Sequence, residues 1–549
     1  MAIKKQLRKM FITSCIAIFC LKKYTVFYVL SIKNLFLSMK YIFNQTKIMK
    51  KITLVLLFIL SSFCVKAQSY VGFLTDNYSG VNSVISNPAN ITDSRFKLDI
   101  NLVGSSFLAG NDYYGVNVMD AFKDDYSFDT DAEKSPTSDN NAAINVDIMG
   151  PSFMFNLNKK SSIAVFTRLR SMTNINEING TTIDDLDNDA SEDFNINEGD
   201  FNIFTHAWAE FGVTYARTLM QKEQHFLKGG FTIKYLQGGG SGYARGKNVS
   251  VDYDADGTDL GGGETTGNII SSGEISYGRS DDFDNEDYEF ELTDASGFGV
   301  DLGFVYEWRP NHADYVETNS KGDSYVRKDK NKYKLKLGLS ITDLGGITYD
   351  DGLDDTYNID NPTGVSEDDI SDADDFDDIL NSFYTLEESS NGIKANLPTA
   401  LHFNADWNFN GKFYVNLNTD FSLTAKGKDD ASRILNVVSL TPRYESRGFS
   451  FYLPLSVIEY NGFQAGAGLR FGPLYLGSGS VLSVLTSDNT KGADFYMGSK
   501  ISIKQRKTKD KDGDGVIDKL DSCPKEAGPI ENNGCPVEEK QDASEIDTN

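Results

Sequence analysis

Alternation of apolar and polar residues along most of the chain is the feature that most constrains its fold. In F-K-L-D-I-N-L at 96–102, the even positions are apolar and the odd positions are polar. In I-A-V-F-T-R-L-R at 163–170, Arg168 and Arg170 lie on the face opposite the aliphatic residues. A period of two residues is the pattern of a β-strand with two different faces. The chain is therefore predicted to be all-β.

About fourteen such runs follow one another, and most have the roughly 9–11 residues that a strand needs to cross a bilayer. They lie near 96–108, 142–157, 161–173, 201–219, 226–246, 296–309, 333–349, 394–408, 411–424, 433–445, 448–458, 462–472, 474–484 and 492–503. Single-chain bacterial outer-membrane barrels have an even number of strands. We therefore predict a transmembrane antiparallel β-barrel of about fourteen strands over residues 96–503.

The connections between these runs separate a membrane barrel from a soluble β protein, which also alternates. Connections after odd-numbered runs in the first half are long and acidic, at 109–141, 174–200, 247–295 and 350–393. Most connections after even-numbered runs are tight turns, such as Asn410-Gly411 and Gly472-Pro473, with the basic stretch Asn311–Lys332 as an exception. Such asymmetry is typical of outer-membrane barrels. It predicts periplasmic N- and C-termini and extracellular acidic loops.

The charge of the chain limits its partners. The formal net charge is -26 and the pI is about 4.6. Nucleic-acid binding requires a basic surface, so no nucleic-acid partner is expected. An acidic surface instead attracts divalent cations.

The N-terminus has the features of an export signal. Met49-Lys50-Lys51 is a positive region, Ile52–Cys64 is apolar, and Val65-Lys66-Ala67 offers a small-residue cleavage site. We expect a signal peptide at 49–67 and an N-terminal periplasmic or plug segment at 68–95. Residues 1–48 are expected to be a mis-called extension ahead of the true start at Met49; an inner-membrane anchor is the alternative.

Residues with catalytic potential are not arranged in any recognisable motif. His206, His225, His312 and His402 form no metal-binding pair, and no nucleophile elbow or nucleotide-binding glycine loop is present. We therefore expect that the protein is not an enzyme. The acidic stretch Asp252–Gly257 matches half of a calcium loop, but Gly263 stands where a carboxylate is required, so a solvated acidic loop is the preferred interpretation.

A complete calcium-loop pattern occurs near the C-terminus, in K-D-K-D-G-D-G-V-I-D-K-L-D-S-C-P at 509–524. Counted from Asp510, oxygen ligands fall at positions 1, 3, 5, 7, 9 and 12. The predicted Ca²⁺ ligands are the carboxylates of Asp510, Asp512, Asp514, Asp518 and Asp521 and the main-chain carbonyl of Val516. The cofactor expected from this spacing is Ca²⁺.

Two cysteines remain once the predicted leader is removed. Cys523 and Cys535 are close in sequence, and an exported chain is exposed to an oxidising compartment. A single Cys523–Cys535 disulfide is therefore expected.

Several segments resemble known outer-membrane families. I-S-N-P-A-N-I at 85–91 resembles the N-P-A motif near the N-terminus of long-chain fatty-acid transporter barrels and of the related type IX secretion barrel. Segments 338–349, 397–406 and 492–503 are similar to strands of Bacteroidota outer-membrane proteins, and 76–96 is most similar to a family of such proteins with no assigned function. For Asn87-Pro88-Ala89, a turn of the chain into the barrel is the preferred interpretation, and a substrate latch is the alternative.

The C-terminal pattern, with G-C-P following at 534–536, resembles a thrombospondin type 3 repeat. This resemblance implies a short calcium-binding stalk on a barrel, formed by the linker, repeat and acidic tail at 504–549.

Two functions remain open at this stage. The first is a non-enzymatic outer-membrane barrel, in contact with membrane lipid, that passes small or hydrophobic solutes and carries a calcium-binding periplasmic tail. The alternative is an envelope scaffold for adhesion or secretion, with a periplasmic or cell-surface protein partner.

Overall fold

The computed structural model describes residues 70–123, 125–182, 193–261, 264–280, 291–318, 324–371, 373, 376–505, 511–514, 516, 518 and 521–537. The predicted extension at 1–48, the signal peptide at 49–67 and Asp510 lie outside the described residues.

A single antiparallel sheet closes on itself and forms the body of the molecule. Some strands are interrupted by a bulge or a bend, and within the described residues the wall comprises fourteen strands in chain order. They are β1 Phe96–Asn111; β2 Asn140–Met149 and Ser152–Asn156; β3 Ser161–Ile178; β4 Phe194–Lys222; β5 His225–Gly261; β6 Ser296–Trp308; β7 Leu335–Asn358; β8 Thr385–Asn396 and Ala400–Asn408; β9 Phe413–Ser422; β10 Val437–Glu445; β11 Phe449–Tyr452 and Leu455–Ile458; β12 Gly462–Ala465 and Ala467–Phe471; β13 Leu474–Ser478; and β14 Gly492–Lys504.

Pairing of the first strand with the last closes the barrel. β1 and β14 are antiparallel, from Phe96 opposite Lys504 to Gly110 opposite Gly492. Because closure leaves no free sheet edge, every strand can satisfy its backbone hydrogen bonds inside a bilayer. The predicted transmembrane antiparallel β-barrel of about fourteen strands is confirmed.

Alternation along the strands produces an apolar exterior. On β6, Phe298, Val300, Leu302 and Phe304 are exposed, whereas Asp301 between them is buried. The same pattern on β5 exposes Phe231 and Ile233 and buries Thr232 and Lys234. An outward apolar band of this kind matches a hydrocarbon environment.

The face assignment at the start of β1 was wrong for two residues. Asp99 and Asn101 point inward as expected, but Phe96 is buried and Lys97 is exposed. The register of β1 against β14 shifts between Phe96 and Leu98. A bulge inserts one residue into the alternation and exchanges the two faces.

The described parts of two connections predicted as acidic loops contain strands and helices. Residues 264–280 form a strand that pairs with β5 and β7, and a strand at Asn361–Ser366 is followed by helices Glu367–Ser371 and Phe376–Phe383. Buried side chains form an apolar cluster here, comprising Tyr253, Ile269, Val365, Ile370 and Ile379. We call residues 247–261, 264–280, 350–371 and 376–392 the cap.

The remaining short helices lie in connections. Among the described residues they include Phe128–Asp131 and Val481–Thr486, with 3₁₀ turns at Gly80–Ile85, Pro88–Ile91, Asp120–Phe122, His312–Tyr315 and Ile530–Asn532. Among the described helices, none combines the length and the apolarity needed to cross a bilayer.

Candidate functional site

The chain ahead of the barrel occupies the lumen. We call residues 70–95 the plug. Tyr70 and Phe73 are fully buried against Tyr452, Tyr475 and Tyr496 of the wall, and the rings of Phe73 and Tyr475 stack at 3.9 Å. Aromatic packing therefore seats the plug inside the barrel.

Buried polar contacts fix the plug to the wall. Asp76 accepts a hydrogen bond from Arg470 Nε at 3.0 Å and another from the Tyr452 hydroxyl. Lys500 Nζ of β14 donates to the carbonyl of Ser79 at 2.9 Å. Since each partner is desolvated, loss of one would leave the other uncompensated.

The N-P-A motif attaches the plug to the opposite wall. Asn87 Nδ2 donates to the carbonyls of Phe304 at 3.2 Å and Leu339 at 3.3 Å, which belong to β6 and β7. Its Oδ1 accepts from Ala89 N–H at 3.0 Å and begins the 3₁₀ turn Pro88–Ile91. A Cβ at Gly303 would lie 2.3 Å from Asn87 Oδ1, so the absence of a side chain there permits this approach.

A charged cluster surrounds the end of the plug beside the tight turns. Asp93 lies 2.7 Å from Arg309 and 2.9 Å from Lys332, with Arg95 at 3.7 Å. Burial, together with repulsion from Arg95 and Arg309, lowers the pKa of Lys332 to about 7 despite attraction by Asp93.

A second segment enters the lumen from the other end. Residues 423–436 between β9 and β10, which we call the inward loop, reach across to β3. Arg433 N–H donates to Asn174 Oδ1 at 2.8 Å, and Asn174 Nδ2 donates to the Arg433 carbonyl at 2.9 Å. The Arg433 guanidinium pairs with Glu459 of the β11–β12 connection at 2.8 Å. The predicted strand start at 433 was therefore wrong, because residues 433–436 are held by these contacts instead.

Residues of the plug and of the inward loop, together with the wall, line a cavity of about 170 Å³. One part of its lining is apolar: Leu108, Ala143, Leu435 and Val437 pack together as one cluster, and Met172 belongs to a second cluster. The remainder carries charged, amide and hydroxyl groups, including Arg168, Arg170, Asn145, Ser340, Thr342, Asp343, His402, Asn404, Asn418, Asp420 and Ser439. For scale, an engineered apolar cavity of about 150 Å³ accepts benzene.

A connected set of buried ion pairs runs around the wall. Arg168 lies 2.5 Å from Asp147, Arg170 lies 3.2 Å from Glu210 and 2.8 Å from Asp343, and Lys234 bridges Asp343 and Asp301. The inward direction of Arg168 and Arg170 was predicted, but their carboxylate partners were not. A charged residue between two apolar neighbours in a strand, as at Asp147, Lys234 and Asp301, was the sequence signal that could have indicated these buried ion-pair partners.

The two strand histidines have ordinary lumenal surroundings. His206 Nε2 lies 3.1 Å from the Tyr349 hydroxyl, and the ring stacks on Trp208. His402 lies between Asp420 at 2.6 Å and Thr342 at 2.9 Å. His225 is the first residue of β5.

The C-terminal tail brings three predicted metal ligands together. Ligand oxygens of Asp512, Asp514 and Asp521 lie within 4.8 Å of one another. Among the described residues, Asp512 Oδ2 and Asp521 Oδ2 are buried without a hydrogen-bond partner. Clustered carboxylates with unpaired oxygens suit a hard cation such as Ca²⁺, so the residues present fit this metal.

The other predicted ligands are placed differently. Asp518 forms two contacts with Lys511. The Lys511 ammonium lies 3.1 Å from Asp518 Oδ2, and the Lys511 backbone N–H donates a hydrogen bond to Asp518 Oδ1 at 2.9 Å. Val516 N–H donates to Asp514 Oδ1 at 2.7 Å. Asp510 is outside the described residues. Of the six predicted ligands, the structure therefore brings three together: Asp512, Asp514 and Asp521.

The predicted disulfide between Cys523 and Cys535 is confirmed. It belongs to the same unit as the aspartates, because Cys523 N–H donates to Asp521 Oδ1 at 2.7 Å and Gly528 N–H donates to Asp514 Oδ2 at 3.1 Å. Gly534 has φ +81°, and a Cβ there would lie 2.3 Å from Asp521 Oδ1. Glycine is therefore required beside Asp521.

Comparison with known proteins identifies the family of the chain. The model of a family of unknown function, DUF5723, matches residues 88–479, which include most of the barrel and the end of the plug. The chain belongs to this family. None of the curated proteins compared with this DUF5723 member matches it.

Solved structures of outer-membrane barrels are similar to this DUF5723 chain at low identity. The toluene transporter TbuX of Ralstonia pickettii is 10% identical, with 77% of this chain and 94% of that one covered and a TM-score of 0.36. A Pseudomonas aeruginosa FadL homologue is 10% identical, with 78% and 95% covered and a TM-score of 0.38. The translocator domain of autotransporter NalP from Neisseria meningitidis is 9% identical, with 74% and 88% covered and a TM-score of 0.28. Closure of the present barrel is established by its own strand pairing.

Proposed function

We propose that this DUF5723 member is an outer-membrane barrel that controls passage of small solutes through its lumen. The observation that carries this proposal is the lumenal cavity that the plug, the inward loop and the wall line together. Passage then requires movement of both segments, because each contacts the wall across the barrel. The lining combines an apolar part and a polar part, so the cavity suits a small amphipathic or polar solute better than a long hydrocarbon.

The proposed orientation follows from the two ends of the barrel. Residues 95 and 505 lie together beside the tight turns, where Gln505 N–H donates to the Arg95 carbonyl at 2.8 Å. We assign this end to the periplasm and the cap, with its acidic surface, to the cell exterior. Protease shaving of intact cells should cleave the cap and spare the tail; the reverse pattern would contradict this orientation.

The passage proposal is tested by solute flux into liposomes that contain the purified full-length protein. Wild-type protein should give slow flux, and weakening of the inward loop by Asn174→Ala should increase it. Absence of flux from both, with a folded barrel shown by heat-modifiable gel mobility, would overturn the proposal. That result would favour the alternative, an envelope scaffold for adhesion or secretion with a protein partner.

We further propose that the tail binds Ca²⁺ as a thrombospondin type 3 repeat. Support comes from the clustered oxygens of Asp512, Asp514 and Asp521 and from the disulfide that holds the same loop. When bound, Ca²⁺ would supply charge compensation for these carboxylates and stiffen the stalk. Asp510, Asp518 and the Val516 carbonyl would complete the ligand set.

Calorimetry on the full chain tests the calcium proposal. Calcium should give a binding heat that Asp512→Ala with Asp514→Ala abolishes. Asp368→Ala with Asp369→Ala, in the exposed acidic helix Glu367–Ser371, is the matched control and should leave the heat unchanged. Equal loss in both double variants would show non-specific binding to acidic surface.

A further inference from the structure

The lumenal cavity has a charge arrangement that restricts what it can hold. Each cationic side chain in its lining lies within 4.0 Å of a carboxylate. The pairs are Arg95–Asp93, Arg168–Asp147, Arg170–Asp343, Lys228–Glu307, Lys336–Asp406 and Arg433–Glu459. The carboxylates of Asp76 and Asp420 are likewise paired, with Arg470 and His402. A charged solute would therefore enter without a counter-ion, which is unfavourable in a desolvated site.

Four residues of the lining have a buried polar atom without a hydrogen bond among the described residues: the hydroxyl of Tyr70, Oδ1 of Asn145, and Nε of Arg170 and of Arg433. Two of these atoms, the acceptor Asn145 Oδ1 and the donor Arg170 Nε, belong to the paired strands β2 and β3. Arg170 is 3% exposed; its Nη1 donates to both Glu210 and Asp343, and its Nη2 contacts the sulfur of Met172 at 3.7 Å. A buried polar atom without a partner costs free energy that a bound molecule can recover.

The sheet register places these two atoms on the same part of the wall. Asn145 is opposite Met172, and Arg170 is opposite Asp147 on the same pair of strands. Asn145 and Arg170 are thus diagonal neighbours, roughly 7–8 Å apart at Cα. Met172 is directly opposite Asn145 and two residues from Arg170 on β3, and the inward loop borders this region through the contact of Asn174 with Arg433.

We propose that the cavity binds a small neutral polyhydroxylated ring with the chemistry of a monosaccharide. A hydroxyl group can donate to Asn145 Oδ1 and accept from Arg170 Nε, which neither a hydrocarbon nor a carboxylate can do. Further hydroxyls would meet Ser340, Thr342, Asn404, Asn418 and Ser439, and the C–H face of the ring would lie on Met172, Leu435 and Val437. This proposal deepens the proposed function, since it names the solute class of the same lumen.

The test measures binding, so that it is independent of passage. Trp208 is buried, and its ring lies 4.8 Å from the Arg170 guanidinium. The chain has 3 Trp, so Trp308→Phe with Trp407→Phe leaves Trp208 as the sole tryptophan reporter. Full-length protein in detergent is titrated with glucose, glucuronate and glucosamine, which share a ring and differ in charge.

Glucose should change Trp208 fluorescence saturably, and each charged analogue should bind at least about tenfold more weakly. Asn145→Leu should weaken glucose binding by a similar factor, whereas Asn358→Leu in the cap should not. No saturable response to glucose, a preference for either charged analogue, or equal affinity in the Asn145→Leu variant would each overturn the proposal. If Asn145→Leu fails to fold, comparison of glucose, glucuronate and glucosamine binding to the protein without this substitution still tests the proposal. Glucose binding without flux would contradict passage alone, and flux without glucose binding would contradict the solute class alone.

Discussion

Arg470 on β12 and Asp76 in the plug form an ion pair across the lumen, with Arg470 Nε 3.0 Å from Asp76 Oδ2. The two side chains are 2% and 0% exposed. They are separated by 394 positions in the sequence. This contact ties the first described segment of the chain to one of its last strands.

Asp76→Ala should loosen the plug. The variant leaves the Arg470 guanidinium buried without its carboxylate, at a cost of about 3–5 kcal/mol. The temperature at which the folded band is lost in heat-modifiability gels should fall. Asp314→Ala, at an exposed position in the turn Asn311–Val316, is the control and should have little effect. Adding Arg470→Met to Asp76→Ala should restore much of the loss; a double variant no better than the single one would contradict the ion-pair explanation.

Asn174→Ala should release the inward loop. It removes both hydrogen bonds that join β3 to Arg433, each worth about 1 kcal/mol. Single-channel recording in planar bilayers should therefore show more frequent or longer openings than in wild type. Asn361→Ala, in the cap, removes a side chain of the same kind away from the lumen and should behave like wild type. Unchanged conductance in Asn174→Ala would show that the loop does not limit passage.

The end of the plug beside the turns should become more stable as the pH rises. Burial lowers the pKa of Lys332 to about 7 from 10.5, so the folded protein releases this proton at a pH where the unfolded chain still holds it. The buried charge of Lys332 lowers the free energy of unfolding. This destabilisation is fully present below pH 7 and decreases between about pH 7 and 10. Unfolding midpoints compared at about pH 6 and about pH 9 should therefore increase with pH. Lys332→Met should reduce this dependence, while Lys330→Met at an exposed neighbour should retain it.

Gly534→Ala should weaken calcium binding by the tail. Its Cβ would displace Asp521 Oδ1, which lies 2.3 Å from the ideal Cβ position. Gly513→Ala is the matched control, because Gly513 also has positive φ (+76°) but nothing lies within 4 Å of its Cβ. Both variants carry the backbone strain of about 1 kcal/mol, and only Gly534→Ala moves a predicted ligand. Calorimetry that shows equal affinities for the two variants would contradict the role of Gly534.

Local patterns predicted the wall well, because a strand in a barrel has one face toward lipid and one toward the lumen along its whole length. They failed where the alternation is interrupted. The bulge between Phe96 and Leu98 exchanges faces. The strand predicted to 484 ends at Ser478, where Asp494 accepts hydrogen bonds from the hydroxyls of Ser478 and Ser480. Neither event has a signature in the spacing of apolar residues.

For the candidate sites, prediction depended on whether the contacts were local. The calcium ligands Asp512, Asp514 and Asp521 and the Cys523–Cys535 pair lie within one short segment, so spacing alone indicated them. The cap was missed because Tyr253, Ile269 and Ile379 are far apart in the chain and form a cluster only where the strands of one connection meet the helix Phe376–Phe383 of another.

The sequence by itself determined the strand pattern, the even strand number and the composition of the tail, since these follow from periodicity and short-range spacing. Tertiary structure alone decided how the lumen is filled. The contacts of the plug with Arg470 and of the inward loop with Asn174 lie inside a wall that is closed by the pairing of β1 with β14. Contacts across a closed barrel join residues hundreds of positions apart, and no local pattern specifies which of the inward polar residues will meet.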